Sequence, residues 1–464
     1  MIPTLTGVAK PPPGNRSCDI TVFGCTGNAG RAVAYQVLRT AAQTKSPKAT
    51  PIRIGLAGRN RDKMESILKG IRAELSASPN LSIKDENVNI MIADASDAES
   101  MLTMAQSSRV VISCAGPYSR YGEAAVVACI AGKAHYVDIA GEIPWVSRMI
   151  SEHDNDARRA GVCLLPLSGY DCVPSELGMV LAGSALEEFG GEKGAVKMEG
   201  LELVYRNKGG AFPRGTLYTV LDGVEGNTPS RKEGDPRFYP REYRSLAAEV
   251  TSPRTLIPQW SDALGVYTGP NFMAGINAPV LCRAAPTLGF DQLKRYSDRI
   301  AVAGVRNGRG WIPAQLYATA LVVGGCAILL APVRWWLRKK LATYSYGGDA
   351  DGNVCLTATA VCGTSGTNHA SSNVKCHYPG DAGIYATGLF ATAVANTLLE
   401  ATVDNSQVPP PAGFHTPVAA LHHSGGSRPL VEQLQSMGAT IHVSVQNTNG
   451  EEQLVDAAEL RSRL

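Results

Sequence analysis

The sequence predicts an α/β protein: a doubly wound Rossmann sheet carrying a second α+β domain, with a late helix returning to the first. Three observations predict it. Through the first 165 residues, apolar strand-like runs alternate with longer helical patterns, as in successive βαβ units. Gly24, Gly27 and Gly30 stand three apart between the first such run and the first helix. Beyond Leu201, glycine and proline become frequent and the strand-like runs look more exposed, which fits an antiparallel sheet with helices.

Taken in order, Asp19–Gly24 is the first strand and AGRAVAYQVLRTA opens a helix at once. Ile52–Gly58 is the second strand, followed by an amphipathic, charged helix. Val88–Asp94 is the third, and Ser96 and Asp97 are caps for the next helix. Arg109–Gly116 is the fourth, with GEAAVVACIAGK as its helix, and HYVDIAG and GVCLLPLSG supply a fifth and a sixth. The Rossmann domain is therefore placed at 17–180, behind an extended lead-in at 1–16 that contains three consecutive prolines. LELVYR, LTATAVCG and SNVKCHYPG are strands of a second domain at 181–380. Asp381–Ala401 is a long apolar helix with an acidic cap, its small residues suited to close packing on the first domain. That helix and a closing segment fill 381–445, and 446–464 reads as a polar tail.

Composition narrows the function classes. The 464 residues carry a formal net charge of +3, with 44% hydrophobic and 18% charged residues, as in an ordinary globular protein. No basic stripe with interleaved aromatics occurs, so nucleic acid is not an expected partner. Eleven cysteines without a CxxC pair suit reduced thiols inside a cell. Eight histidines fall in no HxxxH or HExxH spacing; no metal is expected, and the adjacent His422 and His423 read as surface or turn residues. The N-terminus lacks the basic and apolar regions of a secretory signal. Ser462-Arg463-Leu464 is a conservative variant of the Ser-Lys-Leu address, which predicts a peroxisomal import receptor as partner and a peroxisomal location. A lipid droplet or another intracellular membrane is the alternative.

The glycine turn follows a strand and opens a helix, the context a dinucleotide site requires. Gly24 permits the tight turn, Gly27 lets a pyrophosphate approach, and Gly30 allows helix and strand to pack closely. Thr26, Asn28 and Ala29 lie along the turn, where exposed amides and the helix dipole favour a diphosphate. An NAD site usually ends its second strand with a carboxylate for the ribose 2′-hydroxyl. Here that strand ends in Gly58-Arg59-Asn60-Arg61, and a guanidinium pairs with a 2′-phosphate, so NADP(H) is expected over NAD(H). Asp94 is placed at the adenine edge, and Cys114, Ala115, Gly116 and Pro117 along the cofactor at the end of the fourth strand.

VFGCTGNAGR, LAGRNRDKM, VVISCAGPYSRYGEAAVVACIAGKAHYVDIAGE and LSGYDCVPSELG resemble, in order and spacing, the saccharopine dehydrogenase-like oxidoreductases, a group that includes mycobacterial trans-acting enoyl reductases and animal lipid-droplet proteins. The resemblance thins through APVLCRAAPTLGF, HYPGDAGIYATGLFATAVANTLLE and GFHTPVAAL, and leaves out only the two tails. It implies a Rossmann domain with a second α/β domain and reduction of a lipid-related substrate, an enoyl group in the mycobacterial case.

Hydride transfer asks the protein for orientation and a proton source. No tyrosine has a lysine four residues later, which disfavours the Tyr-x-x-x-Lys device of short-chain dehydrogenases. Tyr118 reads either as a proton donor or as a packed ring whose hydroxyl meets backbone. Arg120 reads as a group that lowers the Tyr118 pKa or binds an acyl carbonyl, with Tyr121 and Glu123 next in line. SGYDCVPSE adds Tyr170, while Asp171 reads as a turn cap, Cys172 lacks a base or cation to activate it, and His135 reads as structural.

Trp311–Val333 holds 23 residues without a charge, with Trp335 and Trp336 and then Arg338, Lys339 and Lys340 beyond it. Pro313, Pro332 and Gly324-Gly325 break it into shorter pieces, so residues 311–340 read first as a monotopic or hairpin anchor to a membrane or lipid droplet. A helix buried in a homodimer interface comes next, and a full crossing last. The function expected is NADP(H)-dependent reduction of a lipid or acyl substrate. The alternatives are a non-catalytic lipid-droplet or scaffold protein retaining the cofactor fold, and an amino-acid dehydrogenase using Arg206, Lys208, Arg214 and Arg283 as carboxylate clamps.

Overall fold

A computed structural model describes residues 16–43, 51–77, 81, 84–192, 196–225, 238, 253–302, 310–362, 370–403, 408–458 and 460. The proline-rich lead-in up to residue 15 and the C-terminal Ser462-Arg463-Leu464 lie outside the described residues.

Six parallel strands and their crossover helices follow in the predicted order: β1 (Cys18–Phe23), α1 (Asn28–Gln43), β2 (Ile54–Gly58), α2 (Arg61–Ser76), β3 (Val88–Ile92), α3 (Ala98–Ser107), β4 (Ser108–Ser113), α4 (Tyr118–Gly132), β5 (His135–Asp138), α5 (Ile143–Ala160) and β6 (Cys163–Leu165). Their spatial order is β6-β5-β4-β1-β2-β3, so the order of strand addition reverses between β1 and β4, the switch point where open α/β sheets bind ligands. Every residue of β2 and β5 is buried, as expected for strands covered on both faces. Local chemistry sets the helix starts. The Asn60 side chain accepts from the Lys63 amide to begin α2, and Asp97 accepts from the Glu99 and Ser100 amides to begin α3.

The second domain begins earlier than residue 180. α6 (Val173–Phe189) buries nearly all its side chains and packs on a second sheet rather than the first. That sheet takes β7 (Gly200–Lys208), β8 (Gln259–Ser261), β9 (Val266–Pro270), β10 (Arg295–Ile300), β11 (Asn353–Cys362) and β12 (Ala370–Pro379). Its pairings are antiparallel except between β7 and β10, where the chain crosses over through α7 (Arg214–Val224) and α8 (Ala274–Thr287); the expected antiparallel sheet is therefore mixed. An apolar hairpin, α9 (Trp311–Ile328) and α10 (Ala331–Thr343), leaves this domain between β10 and β11.

Asp381 does cap the returning helix. Its carboxylate accepts from the Gly383, Ile384 and Tyr385 amides of a π-helical turn that leads into α11 (Thr387–Val403). α11 runs along α1 so closely that a Cβ on Gly388 would lie 3.0 Å from the Ala32 carbonyl carbon. The chain then adds β13 (Gly413–Phe414) to the first sheet beside β6, and passes through α12 (Pro417–Gly425) and α13 (Arg428–Ser436). β14 (Thr440–Gln446) pairs with β12, and β15 (Glu452–Val455) pairs with β14. The predicted polar tail from 446 is thus in part an edge strand. His422 is also corrected: it is buried in α12 and pairs with the Ser427 hydroxyl at 3.0 Å.

Candidate functional site

A cleft of about 790 Å3 opens between the domains at the carboxyl ends of β1 and β4. The first domain gives it the glycine turn, Cys114 and Gly116–Tyr118; the loop after β6 gives Tyr170 and Asp171; the second domain gives Asn207, much of α7 and the Phe272–Ile276 corner.

The glycine turn is built for close approach. Gly24 has φ +80°, and its amide donates to the Ala57 carbonyl at 2.9 Å, which ties the end of β1 to β2. A Cβ on Gly30 would meet the Gly24 carbonyl oxygen at 2.2 Å, so only glycine fits there. A Cβ on Gly27 would meet only that oxygen, at 3.5 Å, so what Gly27 leaves free is cleft space. The Asn28, Ala29 and Gly30 amides at the start of α1 have no acceptor among the described residues. Three free donors at a helix N-terminus beside an unblocked glycine suit a diphosphate. Thr26 and Ala115 shape the turn without lining the cleft, and the Asn28 side chain donates through Nδ2 to the Tyr346 carbonyl at 2.6 Å, bridging the domains.

Arg59 lies exposed at the end of β2, with no hydrogen bond or ion pair to any described residue. Its guanidinium is therefore available to a 2′-phosphate. Asp94, at the end of β3, accepts from the Ser96 amide (3.0 Å) and hydroxyl (2.8 Å). Those bonds hold its carboxyl below the usual range, with a smaller contribution from the Arg59 charge.

The catalytic expectations fare unevenly. Tyr118 lines the cleft, but its hydroxyl donates to the Ser113 carbonyl at 2.8 Å and accepts from the Ile139 amide at 3.3 Å. Burial pushes its pKa well up, so the packed-ring reading holds and the hydroxyl is not placed to give up a proton. Arg120 does not line the cleft; it donates to Asp222 at 3.0 Å and neither activates Tyr118 nor reaches a substrate there. Tyr170 does face the cleft, its hydroxyl accepting from the Asn207 amide nitrogen at 2.7 Å.

Asp171 is the residue the sequence reading missed. It caps nothing: its carboxylate has neither hydrogen bond nor ion pair among the described residues. It lies against Gly141, where a Cβ would come within 2.8 Å of its Oδ2, and near Ile276. Burial alone pushes it up to about 7. The one available signal was an acidic residue inside the apolar run LLPLSGYDCVP at a strand's carboxyl end. Glu142 was also missed: it accepts from the Tyr118 and Ser119 amides at 2.8 and 2.9 Å and so fills the N-terminus of α4.

The cysteines at the site are inert, because burial raises the Cys114 and Cys172 thiols far from neutrality. Away from the cleft, Glu123, Glu152 and His153 come together in a group whose atoms are close enough to share a metal ion, a cluster that histidine spacing did not reveal. Arg148 bridges both of its carboxylates, at 2.7 and 3.1 Å.

Over 209 residues the chain is 29% identical to a lipid droplet localized protein of Caenorhabditis elegans, covering 45% of each chain. It is 32% identical over 165 residues to a mouse saccharopine dehydrogenase-like oxidoreductase (36% of this chain, 37% of the other). It is also 27% identical over 300 residues to a Mycobacterium tuberculosis protein provisionally named a trans-acting enoyl reductase (62% and 66%). Each match spans less than two thirds of the relative's own length. Residues 20–165, the stretch from β1 to β6, match the family described as the saccharopine dehydrogenase NADP binding domain. Residues 20–165 of this chain are thus similar to an NADP-binding domain, which supports NADP(H) as the dinucleotide.

Proposed function

We propose that the protein is an NADP(H)-dependent oxidoreductase that reduces an apolar acyl substrate, an enoyl group in particular. The observation that carries this reading is the unpartnered Asp171 carboxyl, held in the same cleft as the free amides of the glycine turn. When bound, NADPH supplies the hydride. Asp171, protonated below about pH 7, gives the proton that completes the reduction. Tyr170, its hydroxyl held by Asn207, is placed to donate to a substrate carbonyl.

The facing wall is apolar: Phe212 and Phe272 pack edge to face at 5.0 Å beside Met273 and Ile276. Of the four cations that an amino-acid substrate would call on, Arg214 alone lines the cleft, and Arg283 is spent on the Phe414 carbonyl at 2.8 Å. Those two facts favour an acyl chain over a polycarboxylate. The names of the worm and mycobacterial relatives point the same way.

The test is NADPH oxidation with trans-2-enoyl-CoA esters of increasing chain length. Turnover should fall as pH rises through about 7, because the acid form of Asp171 is the active one. Asp171→Asn should lower kcat by about 100-fold and remove that alkaline limb while NADPH still binds. An unchanged pH profile would take the proton away from Asp171. NADPH binding without turnover on any ester would instead favour a non-catalytic protein that keeps the cofactor fold.

A further inference from the structure

α9 is apolar on the wrong side for a soluble protein. At 1.5 Å per residue its 18 residues run about 27 Å, and only its first half is anchored. Ala314 and Ala318 are buried against β9, and Tyr317 packs so closely that a Cβ on Gly269 would lie 2.9 Å from its ring. Ile312, Leu316 and Val323 recur at helical spacing on the opposite face and are 66%, 65% and 62% exposed. The solvent face is thus as apolar as the packed face, and no charge occurs from Trp311 to Val333.

α10 completes the surface with a different chemistry. Trp335 and Trp336 are exposed, with the Lys339 ammonium 5.6 Å over the first ring and that of Lys340 5.9 Å over the second. Aromatic rings with cations on their outer side, next to an uncharged apolar helix, match the boundary between acyl chains and anionic headgroups. A second copy of the chain would gain nothing from the two lysines set beside its apolar contact. Arg334 donates to the Ile328 and Leu329 carbonyls at 3.1 and 2.6 Å, closing the end of α9 and fixing the turn of the hairpin.

The hairpin is also fastened to the cleft. Arg338 donates to Asp222 at 2.7 Å and to Glu225 at 2.6 Å, at the end of α7. Asp222 is buried and takes Arg120 of α4 on its other oxygen, so one carboxylate joins the hairpin, the cleft wall and the Rossmann domain. Thr216, Tyr218 and Val220 of that same α7 line the cleft, as do Thr343 and Tyr344 where α10 ends.

We propose that the α9–α10 hairpin is a lipid-docking element that lies in the headgroup–acyl boundary of an anionic lipid surface and brings the cleft mouth to that surface. It rests on the proposed apolar substrate only for its purpose; docking itself requires no turnover.

Flotation with phosphatidylcholine vesicles, with and without phosphatidylglycerol, tests it on the full chain. The protein should float with both, more strongly with the anionic vesicles and less so in high salt. Ile312→Glu, Leu316→Glu and Val323→Glu together should lower partitioning at least about tenfold. An unchanged thermal midpoint would show that this variant folds. Lys339→Glu with Lys340→Glu should remove only the gain from phosphatidylglycerol. Wild-type protein left at the bottom of the gradient overturns the proposal. So does a wild-type dimer that the triple variant splits, with no vesicle binding by either, since the face is then an interface between copies. Neither result bears on NADPH oxidation, so this proposal and the proposed reaction fail separately.

Discussion

Two helix N-termini point into one cleft, and they have been treated in opposite ways. α1 follows β1 through the glycine turn, and its Asn28, Ala29 and Gly30 amides are left without acceptors among the described residues. α4 follows β4, and its Tyr118 and Ser119 amides are taken by the Glu142 carboxylate. The dipole and the orphan amides are the same in both. The chain itself makes the difference, by supplying a carboxylate to one turn and withholding it from the other. A helix N-terminus becomes an anion site only where no side chain has already answered it.

The most damaging way to break this contrast is to give α1 its own anion. Asn28→Asp should weaken NADPH by about 100-fold in a fluorescence titration, through repulsion of the diphosphate and loss of the bond to Tyr346. Undiminished affinity would move the diphosphate elsewhere. The converse change empties α4. Glu142→Gln retains one good acceptor for two amides and should cost about 2 kcal/mol in urea unfolding. A loss within error would mean that water replaces the carboxylate. The mildest change tests the far end of the dinucleotide, beyond either turn. Arg59→Ala should weaken NADPH by about tenfold and leave NADH nearly alone, because Arg59 is exposed and unpaired among the described residues. Equal effects on both would detach Arg59 from the 2′-phosphate.

Much of the first domain was legible because parallel strands and crossover helices write their periods directly into the residues. β1 to β6 fall where alternating patterns place them, and Asp381 and Asp97 cap the helices they announce. β13 was not legible: two residues, Gly413 and Phe414, carry no period and join β6 only because α11 has brought the chain back. Nor was the role of Glu142, whose partners lie 23 and 24 positions earlier in the sequence. Asp171 looked like a turn cap because an aspartate in a loop just before a helix start usually is one. Its isolation depends on what α8 and Gly141 place around it.

The two apolar helices draw the same line. Over 18-residue stretches, Trp311–Ile328 and Ala382–Val403 reach nearly equal mean hydropathy, 1.4 and 1.3, yet 11% of the first stretch and 83% of the second are buried. Residue order is enough to show that both segments are apolar, that a glycine turn opens a Rossmann sheet, and that Arg59 rather than a carboxylate ends its second strand. Folding settles which apolar helix is core and which is surface, which helix N-terminus stays open, and which carboxyl stands alone in the cleft among the described residues. Periodicity and residue type are local properties of a chain. Burial and hydrogen-bond satisfaction depend on partners that folding brings from far away in sequence.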